Sequence, residues 1–144
     1  MTAAEFSTAS FVDTNVLVYA FSADDEKRSR QARDLLDGLM RANSLRTSTQ
    51  VLQELFVTLT RKGARPILHR DALKSLDLIA QFPVFQVDYP AIHAAAELHR
   101  QHRLSFWDAL IVVATSRSKT ERLYTEDLQH GQKILGVEIV NPFR

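Results

Sequence analysis

The chain contains no cysteine, so it can build neither a disulfide framework nor a thiolate metal site, and any metal must be held by oxygen or histidine ligands. Nor is there an excess of one charge: 18 lysines and arginines stand against 17 aspartates and glutamates, a net charge of +1. The molecule-wide field therefore does not mark a nucleic-acid binder, and local patches, which do such steering, stay open. No apolar run approaches the ~18–20 residues of a membrane span. The opening Met1-Thr2-Ala3-Ala4-Glu5 has neither the basic nor the apolar region of a signal peptide. The expectation is a cytoplasmic protein with no membrane partner. No repeat, low-complexity tract or linker interrupts the 144 residues, which fit one domain spanning 1–144. At that size folding buries about 68–70% of the unfolded surface, enough core to need no staple.

What is present is an alternation of short apolar segments with longer helical patterns. Phe11-Val12 opens a first strand that ends at Asp13, and Asp25 to about Arg41 carries Ala32, Leu35, Leu36, Leu39 and Met40 at helical spacing. Leu45 to Thr47 is a second strand. Ser48 or Thr49 then caps a helix with Val51, Leu52, Leu55, Phe56 and Leu59 on its apolar face, ended by Gly63 and Pro66. A helix from about Asp71 to Ala80, a strand from Val84 to Val87, and a helix entered at Pro90 and running to about Gln101 follow. Ser105 caps an apolar helix, and Leu123-Tyr124 and Val137 to Val140 supply a fourth and a fifth strand. Strands alternating with helical crossovers imply an α/β fold with a parallel sheet covered by helices. In such sheets ligands bind beyond the carboxyl ends of the strands.

That rule selects among the acids. Asp13, in Asp13-Thr14-Asn15, directly follows strand one. It reads equally as a helix N-cap or a ligand, and three polar side chains between two apolar runs favour a site. Glu54 lies at the edge of an apolar helical stripe, where a solvated role is the bland reading. Asp108 is the single charge in Ser105-Phe106-Trp107-Asp108-Ala109-Leu110-Ile111-Val112-Val113-Ala114, a run apolar on every side of a helix and so expected in the core. Ser105-x-x-Asp108 is also a capping box, which explains an acid there without explaining its apolar surroundings. A buried carboxylate is costly unless a cation or strong hydrogen bonds meet it. Asp127, in Thr125-Glu126-Asp127, follows strand four and could instead cap a Leu128–Lys133 segment, with Glu126 as the neighbouring alternative. Simple topology starts the Asp108 helix at the opposite edge of the sheet from the other acids. Asp88 is explained as a cap by Tyr89-Pro90, and Asp24-Asp25-Glu26 as an acidic turn at a helix start.

Taken together the acids point to a metal. Like charges ~4 Å apart repel by about 1 kcal/mol in water and about 4 at an effective dielectric of 20, so converging carboxylates need protons or cations. Hard oxygen ligands without histidine or cysteine select Mg²⁺ or Mn²⁺ over Zn²⁺. The remaining residues read blandly. Arg61, Lys62, Arg65 and Arg70, then Arg100 and Arg103, then Arg117, Lys119 and Arg122 are solvated helix ends and loops. His99 and His102 share a helix face without a third ligand, and His93 and His130 carry no signal. Trp107 could stack on a base, but inside an apolar run it is assigned to the core.

Phe11-Val12-Asp13-Thr14-Asn15, Gln53-Glu54-Leu55, Ser105-Phe106-Trp107-Asp108-Ala109-Leu110-Ile111 and Leu123-Tyr124-Thr125-Glu126-Asp127, in that order over residues 10 to 142, resemble a PIN-domain ribonuclease of the VapC toxin type. The resemblance implies a PIN-like α/β/α sandwich with a five-stranded parallel sheet of order 3-2-1-4-5. It implies that the Asp108 helix presents its start to the pocket, and that Asp13, Glu54, Asp108 and Asp127 are catalytic, metal-binding acids supported by Asn15 and Thr125. The implied activity is Mg²⁺- or Mn²⁺-dependent hydrolysis of RNA by metal-activated water, leaving a 5′-phosphate and a 3′-hydroxyl. The implied partners are a VapB-type antitoxin and a second copy of the chain. Three rivals stand beside it. Aspartate-nucleophile phosphatases place a second Asp where this chain has Asn15. A receiver module would carry a lysine on the last strand, and Val137–Val140 has none. A catalytically silent PIN-like module would bind RNA or a protein partner without turnover.

Overall fold

The computed structural model describes residues 3–61 and 67–144, in the order α1 (Ala3–Phe6), β1 (Ser10–Val12), α2 (Thr14–Phe21), α3 (Glu26–Arg41), β2 (Leu45–Ser48), α4 (Thr49–Arg61), α5 (His69–Ile79), β3 (Val84–Phe85), α6 (Tyr89–His102), α7 (Phe106–Arg117), β4 (Arg122–Tyr124), β5 (Lys133–Ile134) and β6 (Val137–Val140). Gly63 and Pro66, expected to end the fourth helix, lie outside the described residues, as do Lys62 and Arg65.

The sheet order is β3-β2-β1-β4-β6-β5. Every pairing from β3 through to β6 is parallel. The α/β class and the 3-2-1-4-5 order are thus borne out, with β6 in the fifth place. One strand was not foreseen: the two-residue β5 pairs antiparallel with β6 through Lys133–Glu138 and Ile134–Val137, so the sheet is mixed at that edge. The tight turn between them takes Leu135 and Gly136 at positive φ, 52° and 75°. The Leu128–Lys133 segment, the alternative capped by Asp127, is not a helix and bends toward this hairpin.

All three residues of β1 are buried, because helices cover both faces of the sheet and no alternation survives. Phe11, Leu35, Leu45, Leu55, Ile79, Leu123 and Ile139, each 0% exposed, fill the space between sheet and helices. The helices start where the sequence places caps. Asp25 Oδ1 accepts from the Arg28 N–H at 3.0 Å, and Asp88 Oδ1 accepts from the Ala91 N–H at 2.9 Å. Arg103, at φ 56°, ends α6 in the left-handed region, and Ser105 caps α7 within three residues. Histidines 99 and 102 are exposed, as are Arg100, Arg103, Arg117 and Lys119, matching their solvated reading.

Two expectations about α7 are corrected. Its fully buried stretch is Ala109 to Thr115, and the first turn is not core: Phe106 is half-buried and Trp107 is 62% exposed. The turn opens at the mouth of a cleft instead of facing the sheet. The helix also starts at the carboxyl edge, not the opposite one. A short connection joins α7 to the parallel strand β4, so the helix must descend antiparallel to the strands and begins where they end.

Candidate active site

Beyond the carboxyl ends of β1 and β4 lies a cleft of about 380 Å³, whose walls include Asp13, Asn15, Gln50, Glu54, Trp107 and Asp108. Asp13 stands at its floor. The tight β1–α2 junction makes this residue the N-cap of α2, and it is 6% exposed. Its Oδ1 accepts from the Thr14 N–H at 2.7 Å and its Oδ2 from the Thr125 hydroxyl at 2.9 Å. Capping and site membership are therefore compatible, since the cap uses one carboxylate oxygen.

Asp108 enters from the first turn of α7, where Ser105 Oγ accepts from its backbone N–H at 3.0 Å. That satisfies the helix end through the backbone, and the half-buried carboxylate, which also meets the Ser105 hydroxyl, faces the cleft. Asp127 enters from the bend after β4 and is exposed, its N–H donating to Thr125 Oγ1 at 3.1 Å. Each of Asp13, Asp108 and Asp127 offers an oxygen, and these atoms lie within 4.8 Å of one another. Among the described residues none of the three, nor Glu54, forms an ion pair with lysine, arginine or histidine.

Glu54 is brought to the same cleft but stands outside this trio. Its Oε1 accepts from Gln50 Nε2 at 2.7 Å and its Oε2 from Thr14 Oγ1 at 3.4 Å. Glu126 and Asp127, inseparable by sequence, are separated here. Glu126 accepts from the Tyr19 hydroxyl at 2.8 Å and pairs with Arg28 Nε at 3.4 Å, so it is spoken for on the side of α2 and α3. Arg28 itself lies over the rings of Tyr19 and Phe143, 5.7 and 5.6 Å from their centroids, which stiffens that arrangement.

The electrostatics follow from the crowding. Burial, helped by the charges of Asp127 and Glu54, pushes the Asp13 carboxyl up to about 7 against the pull of the Thr14 N–H and the Thr125 hydroxyl. Asp108 is also raised, first by burial and then by Asp127, with the Ser105 hydroxyl opposing. A floor carboxyl that holds its proton near neutrality, with no cationic partner among the described residues, fits a site completed by a hard divalent ion. Asp13, Asp108 and Asp127 are the residues that would hold it.

Thr125 links two of these acids through one buried oxygen. It donates to Asp13 and accepts from Asn15 Nδ2 at 3.2 Å as well as from the Asp127 N–H. Asn15 and Thr125 thus stand where supporting residues were expected. Thr125→Val keeps the shape but strands three buried or half-buried polar groups. It should lower unfolding free energy by about 1–3 kcal/mol in urea melts, and an unchanged midpoint would show that the hub carries no weight.

Sequence reading missed Gln50, Thr14, Tyr19 and Arg28. For Gln50 a signal existed: it precedes Glu54 by one helical turn, the spacing at which side chains meet. It is 5% exposed, and besides holding Glu54 its amide donates to the Trp107 carbonyl at 3.3 Å, tying α4 to the start of α7.

The family profile of the PIN domain matches residues 10–133. The chain belongs to the PIN-domain family. Solved structures that resemble it include a VapC toxin and toxin–antitoxin complexes. VapC20 of Mycobacterium tuberculosis, described as a toxin cleaving the sarcin–ricin loop, is 24% identical with a TM-score of 0.67 over 82% of this chain and 89% of that one. A toxin–antitoxin complex from Klebsiella pneumoniae gives 19% identity and a TM-score of 0.69 over 92% and 97% of the two chains. VapBC2 from Rickettsia felis, solved on a DNA fragment from its promoter, gives 17% and 0.63 over 90% and 96%. Comparison with curated protein sequences gives no match. Among the described residues no helix is long and apolar enough to cross a membrane.

Proposed function

We propose that this protein is a Mg²⁺- or Mn²⁺-dependent endoribonuclease and the toxin of a type II toxin–antitoxin pair. The observation that carries the proposal is the meeting of Asp13, Asp108 and Asp127, from three distant stretches of chain, within 4.8 Å and, among the described residues, without an ion pair to a cationic side chain. Membership of the PIN-domain family and the likeness to VapC toxins support the reaction class and the biological role.

In this reading Asp13, Asp108 and Asp127 hold the ion and Glu54 joins them from the facing helix. When bound, the ion supplies charge neutralisation, polarisation of the phosphodiester and acidification of water. The chain's own contribution is placement. Thr125 fixes Asp13 and Asp127 relative to each other, Gln50 fixes Glu54, and the Ser105 cap fixes the angle at which Asp108 enters. Tyr19 and Arg28 draw Glu126 aside, so a fifth carboxylate does not add to the repulsion at the floor. The products are a 5′-phosphate and a 3′-hydroxyl, and the partners are a VapB-type antitoxin covering the cleft and a second copy of the chain. The complexes among the structural neighbours support the antitoxin.

Purified protein should cleave RNA with Mg²⁺ or Mn²⁺ and stop in EDTA, with activity restored by excess Mn²⁺. Expression should arrest growth, and co-expression of a small neighbouring open reading frame should relieve the arrest. Tight binding of RNA or of that partner without any cleavage in Mn²⁺ would instead establish the silent binding module.

A further inference from the structure

Trp107 is the only tryptophan in the chain, and it stands 62% exposed in the wall of the carboxylate cleft. An indole left in water forgoes one of the largest burial gains available to a side chain. Trp107 nevertheless has contacts of its own at both ring and backbone. Its ring meets Phe106 edge to face, with centroids 5.1 Å apart and planes at 80°, and its backbone carbonyl accepts from Gln50. Gln50 is the same residue that secures Glu54, and its Oε1 is buried with no partner among the described residues. An open aromatic surface, braced at one edge by Phe106, therefore sits one residue from Asp108, in the same cleft as the acids.

We propose that Trp107 is a stacking platform for one base of a single-stranded RNA substrate, beside the phosphate that reacts at the carboxylates. The inference rests on the nuclease reading of the site and adds which part of the substrate this wall receives. The charge pattern supports it. The cleft walls offer Asp13, Glu54, Asp108 and Asp127, and the chain's net charge is only +1, so phosphate attraction alone is a weak source of affinity. A base stacked on an aromatic ring supplies affinity independent of that field and tolerant of sequence, because every base has a π-face. The helix geometry suits the purpose, since adjacent residues on α7 present the ring and the carboxylate at different angles to one strand.

Because Trp107 is the sole tryptophan, its fluorescence reports on this wall alone. The Asp108→Asn protein, which keeps the indole and removes one negative charge, is titrated with a labelled single-stranded oligoribonucleotide while anisotropy records binding. Tryptophan emission should be quenched in step with binding, and an abasic site scanned along the strand should remove the quench at one position. In the otherwise unaltered protein, Trp107→Ala should raise KM for RNA by about 5- to 150-fold with kcat nearly unchanged, and Trp107→Phe should recover most of the loss. Binding without quenching, or an unaltered KM in Trp107→Ala, overturns the platform. So does a Trp107→Ala protein that cuts RNA normally but no longer binds its antitoxin, which would make the residue a protein anchor. The two readings fail separately: quenching in Asp108→Asn together with no RNA cleavage by the unaltered protein in Mn²⁺ would end the nuclease proposal alone, and cleavage that is indifferent to Trp107→Ala would end the platform alone.

Discussion

Asp108→Asn is expected to reduce RNA cleavage by on the order of 10³-fold or more, with a melting temperature equal to or above that of the parent. On the proposed reading the loss follows from removing a charge that would hold the ion, a role worth several kcal/mol, at about 1.4 kcal/mol per tenfold in rate. The preserved stability follows from geometry. The capping bond at the start of α7 uses the Asp108 backbone N–H and the Ser105 side chain, both untouched by the change. Losing the charge also relieves the repulsion from Asp127 that helps raise this carboxyl. Asp108→Asn is a cleaner test than Asp13→Asn. An amide at position 13 would turn a donor toward Thr125 Oγ1, whose hydrogen already points there while its lone pairs serve Asn15 and Asp127. Asp13→Asn should also abolish cleavage, but with some loss of stability. An Asp108→Asn protein that unfolds, yet cleaves normally in whatever fraction folds, would return this residue to a purely structural role.

The second large effect is a coupling between metal and pH. Asp13 sits at about 7 in the folded protein against 3.8 in the unfolded chain, chiefly through burial. The native state therefore binds the extra proton between these values. Its contribution to stability is neutral below about 4, falls as pH rises, and levels above about 7, a swing of at most about 4 kcal/mol. A cation must displace that proton. Mn²⁺ affinity should fall about tenfold for each pH unit below 7 and flatten above it, and binding near pH 6 should release about one proton. The rise in Tm on adding Mn²⁺ should accordingly be larger at pH 8 than at pH 6. Taking the difference between metal-loaded and metal-free melts cancels groups the ion does not touch. Calorimetry in two buffers of different ionisation enthalpy counts the proton directly. Equal Tm gains at both pH values, with no proton released, would mean that Asp13 is ionised before the ion arrives.

Most of the elements were legible because their signals are local. Asp25, Asp88 and Ser105 cap helices as their side-chain chemistry requires, and the apolar spacing of α3 and α4 marks the buried faces that the structure shows. The short α2 was given no bounds although the N-cap reading of Asp13 allowed a helix there, because Val16, Leu17 and Val18 form an apolar run too short to show a helical period. Trp107 misled for a related reason. Hydrophobic periodicity averages over a helix, and α7 is buried on all sides only from Ala109 onward. Its first turn escapes the sheet, and no count of apolar neighbours reveals where a helix leaves its cover. Glu126 and Asp127 could not be told apart, since the difference lies in Tyr19 and Arg28, over 90 residues away in the chain.

The amino-acid order by itself determined the α/β alternation, the exclusion of thiolate chemistry and the short roster of acids that stand at strand ends. These depend on periodicity and residue type, which act within a few residues. Only the tertiary structure decided that Asp13, Asp108 and Asp127 converge, that Glu54 stands back under the hold of Gln50, and that an indole opens onto the cleft. Convergence depends on which strands become neighbours and on which way each connecting helix descends. Those are outcomes of packing the whole sheet, and no local stretch of chain encodes them.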